Sequence, residues 1–145
     1  MASRMISIIG KQTFSMQFNT GGPGLIILGA RFFAVQDAVS GVLLVRVTST
    51  SGMPAGSSFS VSMVNTLVLP DDPGTLFLLA SGGTIAGVSI AATDSGFPRL
   101  YVAGFTSAAN PPCGPSVGMG LGAMYGTAAG LGTITMAVDL LVRDA

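Results

Sequence analysis

The chain has no histidine, no tryptophan and no glutamate, and it holds one lysine and one cysteine in 145 residues. The missing imidazole removes the commonest general base, the commonest metal ligand, and every Ser-His-Asp or Cys-His nucleophile arrangement. A single thiol, Cys113 in "NPPCGPS", cannot form an intrachain bridge, so no disulfide framework supports the fold. Charge is scarce as well. Charged residues make up 8% of the chain, against about 25% in ordinary soluble domains. Formal net charge is zero, and mean hydropathy is +0.70. A free monomer of this kind has little colloidal protection, so much of its surface is expected to be covered in the working state, by lipid or by protein.

The few charges are unevenly placed. Residues 1–46 carry Arg4, Lys11, Arg31 and Arg46 against Asp37, a net of +3. Residues 47–145 carry Arg99 and Arg143 against Asp71, Asp72, Asp94, Asp139 and Asp144, a net of −3. Such a distribution permits head-to-tail association, or presentation of the basic part to an anionic surface. It lacks the clustered basic patch of a nucleic-acid binder, so no specific nucleic-acid partner is expected. At the N-terminus, Lys11 interrupts the apolar run Met5–Ile9 before a secretory h-region can form. Synthesis in the cytoplasm without a standard signal peptide is therefore expected, with incorporation into a virion or a released assembly.

What is abundant is strand signal. In "SSFSVSMVNTLVL" (57–69), Phe59, Val61, Met63, Leu67 and Leu69 alternate with Ser58, Ser60, Ser62 and Thr66. In "TITMAVDLLVR" (133–143), Ile134, Met136, Val138, Leu140 and Val142 form one face. "KQTFSMQF" alternates through Phe14, Met16 and Phe18. Further strands are predicted over 41–50, 75–80, 84–92 and 99–107, bounded by "PDDPG", "SGG" and "TDSGFP". Segment 25–39 fits a short helix or two strands joined at Gly29. Strands at this spacing predict an all-β fold: a single antiparallel β-sandwich or jelly-roll-like domain of about seven or eight strands over 1–145. A chain of this length buries roughly 68–70% of its extended surface.

Apparent motifs have plainer explanations. "GPSVG" (114–118) matches G-x-S-x-G around Ser116, but that elbow needs a strand-turn-helix and a downstream histidine. Asp71 and Asp72 are adjacent, which on extended backbone turns their side chains apart, and Asp before Pro-Gly is ordinary turn chemistry. Six scattered aspartates do not assemble the six to eight oxygens of a calcium site, so no metal and no cofactor is expected. Phe14, Phe18, Phe59 and Phe105 lie on apolar strand faces and read as core.

The stretch "GMGLGAMYGTAAGLG" (118–132) lacks the residues of a phosphate-binding loop. Its Gly118, Gly122, Gly126 and Gly130 recur at four-residue spacing, which on a helix gives the small-xxx-small face of membrane helices. Residues 117–138 are uncharged and long enough to span a bilayer. Against a helix stand the strand alternation of 133–143 and the scarcity of large aliphatics in 117–132. The preferred expectation is a long Gly/Ala/Pro-rich loop over 107–132 that packs against a neighbouring subunit through Gly118, Gly122, Tyr125, Gly126 and Gly130.

These features point to a non-enzymatic structural subunit that self-assembles into a shell, tube or filament, such as a virion coat or decoration protein or a filament subunit. Its expected partners are other copies of itself and structural proteins of the same particle. The alternatives are a small membrane protein packing through the glycine-spaced segment, and a β-sandwich module binding a ligand in its loops.

Overall fold

The computed structural model describes residues 3–18, 24–27, 38–69, 71–78, 84–106, 116–124 and 130–144. These form nine strands: β1 (Ser3–Phe18), β2 (Gly24–Ile27), β3 (Ala38–Ser51), β4 (Ser58–Leu69), β5 (Asp72–Leu78), β6 (Thr84–Ala91), β7 (Arg99–Thr106), β8 (Ser116–Met124) and β9 (Gly130–Asp144). All pairings are antiparallel. One sheet has the order β1-β9-β3-β7, and the other has β2-β8-β4-β5 with β6 also on β4. The chain crosses between the sheets at almost every connection, which is the winding of a jelly roll.

β5 and β6 occupy successive halves of one edge of β4. β6 pairs along Ser58–Val64 and β5 along Thr66–Leu69, while β8 takes the opposite edge from Ser58 to Thr66. The two short strands therefore fill a single eighth position, so each sheet is four positions wide. This is the antiparallel jelly-roll sandwich that the strand alternation predicts.

The alternation in sequence becomes the partition between core and surface. Phe59, Val61 and Met63 on β4 are fully buried, as are Leu43, Val45 and Val47 on β3 and Ile134, Met136, Val138, Leu140 and Val142 on β9. The sheets meet through Phe18 and Phe59, edge to face with ring centroids 5.0 Å apart. Phe105 is also buried, and Phe14 packs against the core from its margin.

β3 leaves the first sheet through Gly52, whose φ of +70° favours glycine, and a Cβ there would lie 2.5 Å from the Leu131 carbonyl oxygen. The connection ends at buried Ser57, whose hydroxyl donates to the Pro54 carbonyl at 2.6 Å.

The structure revises some of these readings and decides between others. The 107–132 stretch is not one loop, because β8 occupies 116–124 and β9 begins at Gly130. Nor is 117–138 a helix. Gly118, Gly120 and Gly122 recur every two residues as well as every four, and their register with Val64, Ser62 and Ser60 makes them one face of a strand. In segment 25–39, Gly24–Ile27 is a strand and β3 starts at Ala38; positions 28–37 lie outside the described residues. Finally, "DPG" opens β5 rather than forming a separate turn, with Asp72 opposite Leu69.

β1 is irregular at its middle. Register shifts fall between Ser7 and Ile9 and between Ile9 and Gln12, the second spanning Gly10 and Lys11.

Candidate assembly surfaces

Inward residues are fixed by the core, so functional chemistry must come from the two outer faces and the strand connections. On the first sheet, register places Met5, Leu141, Val42 and Gly104 in one cross-strand row. The next row is Ser7, Asp139, Leu44 and Val102, and the third carries Ala137, Arg46 and Leu100. Met5, Leu100 and Val102 are 57%, 54% and 59% exposed. Leu131, also exposed, lies on the same face towards the other end. Thus Met5, Leu100, Val102 and Leu131, four exposed large hydrophobic side chains, share one outer face.

That face changes character along the strands. Beyond Arg46 it becomes a field of hydroxyls. Thr13 and Thr135 share a hydrogen bond of 2.8 Å, and Ser51 and Thr133 share one of 2.5 Å. Between the two halves, Arg46 pairs with Asp139 at 3.3 Å. Arg46 remains 64% exposed, so most of its guanidinium is open to a further partner.

The charges sort by sheet. Arg4, Lys11, Arg46, Arg99 and Arg143 all belong to β1, β3, β7 and β9. The strands of the second sheet carry no base and one acid, Asp72. On its outer face, Ser58, Ser60 and Ser62 pair with Ala91, Ser89 and Gly87 on one side, and Ser60 and Ser62 pair with Gly122 and Gly120 on the other. The central rows are thus small and uncharged, and the same register sets Met124 opposite Ser58, Leu25 opposite Gly122 and Ile27 opposite Gly120.

The expected assembly residues are thereby separated. Gly118 and Gly122 lie in β8 on this small-residue face. Gly130 begins β9 opposite Phe18, and a Cβ there would sit 3.1 Å from Pro54 Cγ, so it packs within the chain. Tyr125 and Gly126 lie outside the described residues, as does Cys113. Ser116 is the first residue of β8, which is not the turn-to-helix setting of a nucleophile elbow. Asp71 is exposed in the turn between β4 and β5.

One polar cluster closes the β6–β7 connection, around the cis Phe97–Pro98 bond. The Tyr101 hydroxyl donates to Asp94 at 2.7 Å, and the Ala91 amide donates to the same carboxylate at 3.1 Å. Arg99 approaches Asp94 at 3.8 Å and lies over the Tyr101 ring, 5.0 Å from its centroid. The bond from Tyr101 is the main influence holding the Asp94 carboxyl below its ordinary value. Burial, then the Asp94 bond, pushes the Tyr101 phenol up to about 12. Sequence reading missed this cluster, although "TDSGFPRLY" contains all three side chains within eight residues. Two surface hollows of about 240 and 270 Å³ open beside Arg143 and between Arg46 and Arg99, and neither is lined by a carboxylate.

No family model and no curated protein matches this chain. Among solved structures, it resembles the infectious bursal disease virus Gx strain at 16% identity and a TM-score of 0.50, covering 97% of this chain and 31% of that one. It also resembles the crystal structure of the infectious bursal disease virus VP2 subviral particle, at 17% identity and a TM-score of 0.53, covering 97% and 32%. The chain thus spans about a third of the length of either structure. At such identities the likeness is one of fold, and it places the whole described chain in a jelly-roll sandwich like one found within those viral particle chains.

Proposed function

We propose that the chain is a non-enzymatic structural subunit that assembles with copies of itself into a multi-subunit shell, as a coat or decoration protein of a virion. The observation that carries this reading is the jelly-roll sandwich. Nearly its full length matches a third of a chain from a VP2 subviral particle. Composition supports it, since the surface of a chain with only 8% charged residues gains stability when much of it is covered by neighbours. Gly118 and Gly122 lie on an outer sheet face where their small size permits close contact with another subunit, and Tyr125 and Gly126 follow them along the chain. Other structural proteins of the same particle are further partners for these surfaces.

Light scattering and negative-stain electron microscopy of the purified chain test the proposal. Closed particles of regular size support a shell, and tubes or filaments redirect the reading to another assembly. A monodisperse monomer at high concentration refutes it and favours a binding module.

A further inference from the structure

A shell cannot close through one kind of contact between two copies, because a single two-fold interface ends at a dimer. If the chain is an assembling subunit, the reading on which this step rests, its surface must offer more than one kind of contact, and a self-complementary face supplies one of them. We infer that the outer face of the β1-β9-β3-β7 sheet packs against the same face of a second copy, about a two-fold axis running along the seam between β3 and β9.

Three observations select this occupant. The first is size. Strand spacing and rise give the face roughly 700 Å² over the paired lengths of its four strands, close to the roughly 800 Å² that each partner buries in a stable interface. The second is the pattern along the strands. An axis parallel to the seam preserves level, so the apolar end with Val42, Leu44, Leu100 and Val102 meets the same apolar end. The hydroxyl end with Thr13, Thr133 and Thr135 likewise meets its own copy. An axis across the strands would set the apolar half on the hydroxyl half.

The third is charge. The axis lays β9 of the second copy over β3 of the first. Asp139 of the second copy then comes within reach of Arg46, whose guanidinium is still largely open after its 3.3 Å contact within the chain. One base and one acid set diagonally across a two-fold seam form two complementary pairs without any other partner. Sheets stacked in this way keep their mean strand directions nearly aligned at a separation of roughly 10 Å. The exposed Leu100 and Val102 would thereby leave water.

Val102→Glu and Leu100→Ser test the face, because both positions are more than half exposed and neither contributes to the core. Ser89→Glu, on the outer face of the other sheet, is the control. Sedimentation over a wide dilution series reads the dimer step, microscopy reads particles, and circular dichroism melting reads the fold. The two-fold repeats each change within one interface, so dimer affinity should fall by at least about 100-fold for Val102→Glu and by less for Leu100→Ser. Ser89→Glu should leave the dimer constant in place. If Val102→Glu does not fold, Leu100→Ser alone decides. Variants that fold and dimerise as the wild type does overturn this face while leaving the shell reading intact. A wild type that stays monomeric throughout overturns both.

Discussion

Gly132→Ala isolates how tightly the two sheets are joined. Gly132 lies on β9 opposite Met16, and a Cβ placed there would collide with the Phe18 ring at Cε2 and lie 3.1 Å from Cδ2. That ring cannot swing aside, because Phe18 is fully buried and held edge to face against Phe59. Overpacking a well-filled core costs about 1–3 kcal/mol. Replacing a strand glycine returns about 0.4–1 kcal/mol through the unfolded state. The net expectation is a loss of about 1–2 kcal/mol, or a fall in Tm of about 2–8 °C at this chain length. Urea and thermal unfolding followed by circular dichroism measure it. Gly10→Ala supplies the comparison, since nothing lies within 4 Å of a Cβ there, and it should be neutral or stabilising by about 0.4–1 kcal/mol. In a Phe18→Leu background the Gly132→Ala penalty should shrink. Equal effects of Gly132→Ala and Gly10→Ala would refute the argument.

Phe59→Ala should cost about 3–5 kcal/mol in denaturant unfolding, through the cavity it leaves between the sheets; a loss below about 1.5 kcal/mol would mean that the two sheets repack around it. Asp94 is held below its ordinary carboxyl value chiefly by Tyr101, so its contribution to stability is present above that range and is lost as pH falls through it. Asp94→Asn should therefore flatten the acid limb of a pH–stability curve, and an unchanged limb would count against the cluster. Tyr101 is raised from 10.0 to about 12. The stability from its neutral phenol is intact below the lower value and lost as pH rises towards the upper one, which phenolate absorbance will track. Ser57→Ala removes the hydroxyl bond to Pro54 and should lower stability by about 1 kcal/mol in the same unfolding assay.

Much of this fold is legible in the sequence because burial on one face writes a period of two. Phe59, Val61 and Met63, or Ile134, Met136 and Val138, leave no second choice of inner face. In "RLYVAGFT" both parities are apolar, so Leu100 and Val102 cannot be told from Tyr101, Ala103 and Phe105 until pairing with β3 assigns them outward. The glycines of β8 failed for a related reason. A repeat of four is shared by the strand and the helical face, and glycine carries no side chain to separate them. The single position filled by β5 and β6 was unreadable because the turn signals between them look like those between separate strands. Nor could the sorting of bases onto one sheet be seen, since Arg4, Arg46, Arg99 and Arg143 come together only through long-range pairing.

The irregular centre of β1 has a consequence for growth. One side of this 16-residue strand pairs with β9, and no described strand pairs with the other. A straight edge of that length is a template on which further copies can add strand by strand without limit. Two register shifts and the charge of Lys11 interrupt the template halfway, so neither half offers the long, flat run that open-ended strand addition requires. If copies assemble as proposed, association is thereby diverted from edges, which repeat indefinitely, to faces, which can be satisfied. In the proposed assembly, the broken register around Gly10 and Lys11 would act as a terminator written into the monomer, favouring particles of finite size over fibres.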